Sequence, residues 1–473
     1  MNRVSKNIIY NFAGNFGSKI ISFFLAAFTT RLFGSVIYGQ LNIALAEYSY
    51  FYLFANMGMT GYGLFLLARE QDSGRRQEII SDISSVRFIM GLVVAVVLLV
   101  YALLVPGVRP YLAPFSVLLV FQFTDLAWAF QALQDMKITA YGSIISIIIN
   151  AAMLCFAFLA DYISVYVLVI SNVLSVMVLQ VIYVFYLRRK HSYSISFRRI
   201  NIVNYIKAAL PYMVSGLFAG INTNLDMVIL GYLSPAEQVG YYSAAYKLVS
   251  EFVALCTAFF TPMFPMFISK IAADEITYMN CCLGKIRSLL LSIIIPCAVI
   301  GVIYSGDILA LVFGNEYRAG DKSYAILMVF VALLYYREIY GYTLTAAGKQ
   351  STYLRIVMVS ALVNIIGNLN LIPKFGIVAA ATMTLLSEII NLFAMRYFVR
   401  KKIGIHIEGN RILRLGVPLT IMIIVLLLCK SIQMLWVVSI MIGCGAYIVS
   451  WMFIKVIPLS ELKTLFNEKS NVN

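Results

Sequence analysis

The chain has 473 residues, 62% of them hydrophobic and only 12% charged, about half the charged share of an ordinary soluble domain. That composition excludes a water-soluble core with a polar shell, and the net charge of +15 does not indicate nucleic acid, because the basic residues are scattered through short loops instead of gathered on one face. The seven cysteines, Cys155, Cys256, Cys281, Cys282, Cys297, Cys429 and Cys444, lie mostly inside apolar segments and imply neither a disulfide framework nor a metal site.

Met1–Lys6 is short and basic, and the apolar run after it is too long for a signal-peptide core and lacks a small-x-small cleavage site, so it is expected to persist as a first helix. A spanning helix takes about 20 mostly apolar residues. Such runs recur at 8–33, 41–67, 88–105, 113–134, 138–160, 163–187, 208–231, 243–269, 287–313, 324–346, 352–372, 376–398, 413–429 and 434–455. The pattern predicts an all-α integral membrane protein of about fourteen transmembrane helices.

Ionisable groups inside such runs cost roughly 2.5–3.5 kcal/mol each and turn toward protein or a wet cavity. In helix one, Asn11, Asn15 and Lys19 stand four residues apart beside Ser18 and Ser22, a polar stripe on one face. Lys19 reads either as a structural lysine paired with a carboxylate elsewhere or as a cationic site for an anionic ligand. Arg31 ends helix one, and Glu47 on helix two, Asp226 on helix seven and the Lys247–Glu251 pair on helix eight are expected at similar depth, in the outer third. An i,i+4 Lys–Glu pair is also an ordinary local ion pair. Asn222 and Asn224 add polarity around Asp226.

Asp125 on helix four and the adjacent Arg337–Glu338 on helix ten occupy corresponding places near mid-depth and are candidates for ion coupling. Neighbouring helical residues point about 100° apart, so Arg337 and Glu338 are expected to have different partners. Asn364 and Asn368 on helix eleven, and Glu388 and Asn391 on helix twelve, read as interhelical hydrogen-bonding glue. Tyr335, Tyr336, Tyr340 and Tyr342 suit core packing or sugar stacking. His191 and His406 are the two histidines, and there is no GxxxxGK[ST] or HExxH pattern. No enzyme, cofactor or nucleotide-driven pump is expected.

Basic residues cluster in alternate loops: Arg69, Arg75, Arg76 and Arg87, then Lys137, then the run 188–207, then Lys270, Lys285 and Arg287, then Lys349 and Arg355, then 396–414 and the tail. The other loops hold few, among them Arg109, Arg318, Lys322, Lys374 and Lys430. By the positive-inside rule both termini are expected in the cytoplasm. The most basic connection, RRKHSYSISFRR at 188–199, suggests a division into a six-helix lobe at 1–187, a linker at 188–207, a second six-helix lobe at 208–400 and accessory helices at 401–473. A weak repeat supports it: RLFGSVIYGQLNIALAEY follows helix one and LGYLSPAEQVGYYSAAYKL follows helix seven, which sets Gly39 and Gly240 at matching places. Paired six-helix halves are a known transporter plan.

The stretch LDMVILGYLSPAEQVGYYSAAYKL at 225–248, with WAFQALQDMK at 128–137, LTAAGKQ at 344–350 and NLNLIPKFGIVAAATMTLLSE at 368–388, resembles the polysaccharide-transporter family of the multidrug/oligosaccharidyl-lipid/polysaccharide (MOP) flippase superfamily, to which Wzx-type O-antigen flippases belong. The resemblance runs over about residues 5–400. It implies two lobes around a cavity lined by helices one, two, seven and eight. It further implies a substrate oligosaccharide joined through pyrophosphate to undecaprenol, an O-antigen or capsule repeat unit, moved from the cytoplasmic to the periplasmic leaflet of the bacterial inner membrane by alternating access. Lys19, Arg31 and Lys247 would offset phosphate charge, a proton or sodium ion would couple transport, and polysaccharide polymerase and chain-length proteins would be partners. Ala132 departs from a glycine common in the family, and two helices beyond the usual twelve leave the last pair without an implied role. The alternatives are a peptidoglycan lipid-precursor flippase and a cation-coupled multidrug exporter, the latter disfavoured by Lys19. A glycan polymerase is disfavoured by short external loops.

Overall fold

A straight helix of 54 residues would run about 80 Å, far beyond a hydrocarbon core of about 30 Å, so an apolar helix of that length has to break. The computed structural model describes residues 3–104, 110–162, 164–197, 201–407 and 411–454, without the side chains of 3–16, 18, 110, 215, 218, 219, 221–224 and 411–413. Two of its helices, Arg3–Asn56 (α1) and Gln350–Ile403 (α14), are of that length. The first breaks at Gly34, with φ 75° and ψ 172°, and the second at Gly376, with φ 55° and ψ −135°. Glycine alone enters those regions without strain.

The described elements are all helical. Between the two long ones lie Met59–Arg69 (α2), Ser73–Leu104 (α3), Phe115–Phe121 (α4), Ala127–Ala132 (α5), Met136–Leu159 (α6), Val165–His191 (α7), Ile202–Leu233 (α8), Ala236–Phe260 (α9), Phe264–Ala272 (α10), Ile276–Ile303 (α11), Ser305–Phe313 (α12) and Asp321–Ala346 (α13). Arg411–Ser431 (α15) and Trp436–Ile454 (α16) follow. Eleven stretches among the described residues are long and apolar enough to cross a membrane. Two of these contain the Gly34 and Gly376 breaks, and α8 adds another helix, so each of the fourteen predicted spans has a helical counterpart.

Two helices begin earlier than expected. α3 starts at Ser73 instead of 88 and α11 at Ile276 instead of 287, which brings Arg87 out of a predicted loop and moves Arg287 from the edge of a predicted helix into a helix interior. Both are buried, with Arg87 fully enclosed. Arg87 Nη1 donates to Asp125 O at 2.7 Å and Arg287 Nη1 to Ile407 O at 3.1 Å. A basic residue therefore does not mark a helix end here, because a buried carbonyl gives it a partner.

Met1–Ser243 forms one compact unit and Ala244–Asn473 another. In the first, α1 packs against α6, α8 and α3, with a core around Ala44, Leu98, Leu112, Phe115 and Val169 and another around Met59, Ile80, Trp128, Phe130 and Tyr183. α3 buries Val94, Ala95 and Leu98 yet leaves Val93, Val96, Val97 and Leu103 exposed, an apolar outer face suited to lipid and not to water. In the second unit, α15 and α16 dock on α11: Tyr447 Oη donates to Ser292 O at 2.8 Å, Tyr304 Oη to Leu426 O at 3.2 Å and Lys430 Nζ to Ile303 O at 2.8 Å. The pair of helices for which the family resemblance implied no role is thus bonded to the helix bundle through α11.

The described part of the basic segment after α7 is strapped to α3. Ser194 N donates to Gln77 Oε1 at 2.9 Å, Ser196 Oγ to Ser81 Oγ at 3.1 Å and Tyr205 Oη to Asp82 Oδ2 at 2.7 Å. At the foot of α7, Asp135 accepts from Lys190 Nζ at 2.7 Å and meets His191 Nε2 at 3.1 Å. Burial pushes the Asp135 carboxyl up, but the Lys190 and His191 bonds and charges outweigh it and hold the group below its usual range. A carboxylate lowered on folding stabilises the fold above its unfolded pKa, and that contribution is lost as pH falls through the folded value. Asp135→Asn is therefore expected to lower stability at pH 7 by about 1–3 kcal/mol, with the difference from wild type shrinking below about pH 4. Thermal melts of the detergent-purified protein across pH would check it, and a constant gap would refute it.

Candidate translocation site

In the first unit the candidate residues hang on the two halves of α1 and on α8. By helix rise, Lys19 lies about 22 Å from the Gly34 break, Arg31 about 4–5 Å and Glu47 about 20 Å. The second half of α1 begins right after Gly34, not at 41. Glu47 is therefore deeper than the outer-third position expected for it, away from Arg31, and is 4% exposed. Lys19 is exposed and has no hydrogen-bond or ion-pair partner among the described residues. The side chains of Asn11, Asn15, Ser18, Asn222 and Asn224 lie outside the described residues. Asp226 on α8 is partly exposed, and Tyr242 Oη reaches its Oδ2 at 3.5 Å. Tyr50 Oη, on α1, donates to Gly220 O at 3.2 Å.

The repeat-matched glycines meet. A Cβ on Gly39 would lie 1.8 Å from Ala236 O and one on Gly240 would lie 2.1 Å from Ser35 O. The second half of α1 and the first turn of α9 thus cross backbone to backbone. Small residues permit this approach in membrane helix packing. Similar local sequence in the two halves of the chain has put a glycine on each side of one contact.

Asp125 sits where a helix is interrupted. α4 ends at Phe121, a tighter turn covers Gln122–Thr124, and Asp125 itself is extended, with φ −74° and ψ 94°. An interruption at membrane depth frees carbonyls that need partners. Arg87 supplies one by bonding Asp125 O, and it also faces Asp125 Oδ2 at 3.6 Å and Tyr52 Oη at 3.4 Å. Gln122 Nε2 returns to Arg87 O at 3.1 Å. The Asp125 side chain remains 32% exposed, while its Oδ2 accepts from Tyr52 Oη at 3.3 Å and its Oδ1 from Ala127 N at 3.4 Å. Arg87 is a residue that sequence reading missed, because its charge placed it in a loop.

In the second unit Lys247 and Glu251 form the expected i,i+4 pair at 3.3 Å, each partly exposed. Arg337 does not divide from Glu338 as expected. Its Nη1 meets Glu338 Oε1 at 2.9 Å and its Nε meets Glu388 Oε1 at 2.6 Å. Glu388, read from sequence as packing glue, is the main carboxylate partner of a buried arginine. The signal was present in part, since an arginine inside an apolar helix needs a carboxylate or a free carbonyl on another element. Together the three groups carry one negative charge in excess when both carboxylates are ionised. The four tyrosines are used within the bundle: Tyr335 Oη donates to Phe252 O at 2.8 Å, Tyr340 Oη reaches Tyr336 Oη at 3.2 Å, and Tyr342 stacks on Phe260 with centroids 4.8 Å apart.

Residues 4–271 match the family model described as polysaccharide biosynthesis protein. A probable low-salt glycan biosynthesis flippase of Haloferax volcanii is 24% identical over 45% of this chain, which spans only 44% of that relative's length. A protein assigned as an O-antigen transporter in Shigella dysenteriae is 21% identical over 83% of this chain and 99% of its own. Among solved structures, the lipid II flippase MurJ in an inward closed conformation superposes with a TM-score of 0.77 over 94% of this chain and 99% of its own, at 16% identity. At that identity the likeness establishes the fold.

Two substitution pairs separate structural from available charge and test the crossing. Arg87→Ala should destabilise the protein by about 2–4 kcal/mol, since it removes a fully buried side chain and strands the Asp125 carbonyl that it bonds. Asp125→Asn, which keeps the carbonyl bond, should cost less than about 1.5 kcal/mol. Equal losses in a thermal-shift assay would contradict this division. Gly39→Ala should cost about 1–3 kcal/mol by overpacking. Gly220→Ala, with nothing within 4 Å of the added carbon, should be neutral or gain up to about 1 kcal/mol of helix propensity.

Proposed function

Because this chain belongs to the polysaccharide biosynthesis protein family, we propose that it is a flippase for undecaprenyl-pyrophosphate-linked oligosaccharide, an O-antigen or capsule repeat unit. It carries the head group from the cytoplasmic to the periplasmic leaflet of the inner membrane by alternating access. The observation that carries this reading is Lys19, an exposed ammonium within a spanning helix and without a partner among the described residues. The described candidate span begins at Lys19; a cation without a counter-charge in hydrocarbon is costly, and a pyrophosphate or acidic sugar passing Lys19 would supply that charge. Arg31 lies nearer the Gly34 break on the same half-helix and extends the cationic path toward the outer end. Asp226 and Glu47 in the first unit, and the Lys247–Glu251 pair in the second, are further candidate groups, on the helices that the repeat pairs.

The chain is organised as two six-helix repeats with two added helices, both termini in the cytoplasm, as the loop charges support. Coupling falls to carboxylates that can exchange a proton or sodium ion: Asp125, with its exposed side chain, and Glu338, held with Glu388 on Arg337. Polymerase and chain-length proteins receive the product at the outer face.

Lys19→Ala and Lys19→Glu in cells lacking the native gene should each abolish surface polysaccharide while leaving the protein in the membrane at its normal level. Loss should be at least tenfold, because about 1.4 kcal/mol of lost head-group binding already gives that factor. Normal display from either variant would sink the role given to Lys19.

A further inference from the structure

The two halves of α14 pack side by side, reversed at Gly376. Lys402 Nζ donates to Thr352 Oγ1 at 2.7 Å, and Ser387 Oγ reaches Ser360 O at 3.4 Å. Between the halves runs an open groove of about 300 Å³. One wall is Ile390, Ala394, Phe398 and Lys402, spaced four apart and so on one face of the helix. The other is Thr352, Arg355, Ile356 and Val359. Ala394 offers the smallest side chain of its wall and leaves the middle of the groove deep.

The groove is polar at one end and apolar along the rest. Thr352, Arg355 and Lys402 gather where the two halves of α14 begin and end, and Val359, Ile390 and Ala394 continue away from them. Arg355 is exposed, and neither it nor Lys402 has a carboxylate partner among the described residues. Lys402 is held by one neutral hydroxyl and by the Phe398 ring, 5.2 Å from its Nζ. That leaves ammonium protons available to an acceptor. No acidic residue lines the groove, while Lys349, Arg400 and Lys401 add positive charge at the same end of the hairpin.

We propose that this groove is a binding site for an anionic phospholipid, with its phosphate between Arg355 and Lys402 and one acyl chain laid along Val359, Ile390 and Ala394. An apolar channel closed at one end by two cations matches a molecule with a phosphate at one end of a hydrocarbon chain. A free phosphate would leave the apolar wall empty, and a zwitterionic lipid would bring its own cation against Arg355 and Lys402. Basic pockets between transmembrane helices recognise anionic head groups, each Lys or Arg contributing about 1 kcal/mol. Arg355 adds a planar fork suited to two phosphate oxygens. A second groove in the chain sets the contrast. It lies between α6 and α7, holds about 430 Å³ and is lined by Ala152, Met153, Phe156, Ala157, Val167, Ile170 and Ser171, with no charged group. It can take a hydrocarbon chain but has nothing with which to choose a head group.

The test uses the full chain in nanodiscs of phosphatidylcholine containing a minor share of phosphatidylglycerol, with retained lipid measured by native mass spectrometry. Wild type should retain phosphatidylglycerol in preference to phosphatidylcholine, and Arg355→Gln with Lys402→Gln should weaken that preference by roughly 10- to 30-fold. Ala394→Leu, which fills the groove and keeps both charges, should also reduce it and decides the matter if the double variant does not fold. Ala157→Leu in the uncharged groove should leave the preference intact, and millimolar inorganic phosphate should not displace the lipid. The proposal is overturned if wild type shows no preference, if both groove variants keep it, or if inorganic phosphate competes with the lipid.

Discussion

Hydrocarbon offers no hydrogen bonds, and that constraint organises this molecule. Every backbone group inside a bilayer needs a partner within the protein, which is why the described elements are all helical. Helices break here at a few places. Gly34 and Gly376 break them by adopting a backbone region open to glycine, where the chain ends one span and starts another. At Asp125 the break lies inside a span, and its freed carbonyl is taken by a buried guanidinium. The arginine is tolerated at that depth because the interrupted helix supplies its acceptor, and the interruption is tolerated because the arginine is there.

The same constraint sorts the charges. Arg87, Arg287 and Arg337 are buried, and each bonds a backbone carbonyl or a carboxylate. Their charge is part of the architecture. Lys19, Arg355 and Lys402 are exposed and lack a carboxylate partner among the described residues. Positive charge left without a counter-charge is what a membrane protein presents to an anionic ligand. Lys19 lies on the half-helix that leads to Gly34, whereas the other two lie at the ends of a separate hairpin.

Much of the fold was legible in the sequence, because apolar runs of bilayer length are signals written over some 20 residues at a time. Helix starts were less legible. Arg87 and Arg287 look like membrane-edge residues when no tertiary acceptor is in view, so α3 and α11 were read as beginning late. Glu47 moved deeper for a similar reason, since the turn at Gly34 takes one residue and the expected loop took seven. The Lys247–Glu251 pair was readable because both partners sit on one helix. Glu388 was not assigned to Arg337, because their meeting depends on how α13 and α14 pack, and a lone arginine shows that an acceptor is needed but not its type or place.

Gly39 and Gly240 show how far a local pattern can carry meaning that only packing discloses. In sequence each marks a corresponding point in a weak repeat. In the structure each removes the side chain that would keep the other's helix away, with backbone oxygens at 1.8 and 2.1 Å from the missing carbons. A crossing this close is rigid while it lasts, since it contains no side chains that could rearrange to absorb motion. Close approach of this kind adds backbone dispersion contacts, which contribute to holding helices together in a membrane. A side chain on either glycine would overlap a neighbouring carbonyl, so neither can take one unless the two helices move apart.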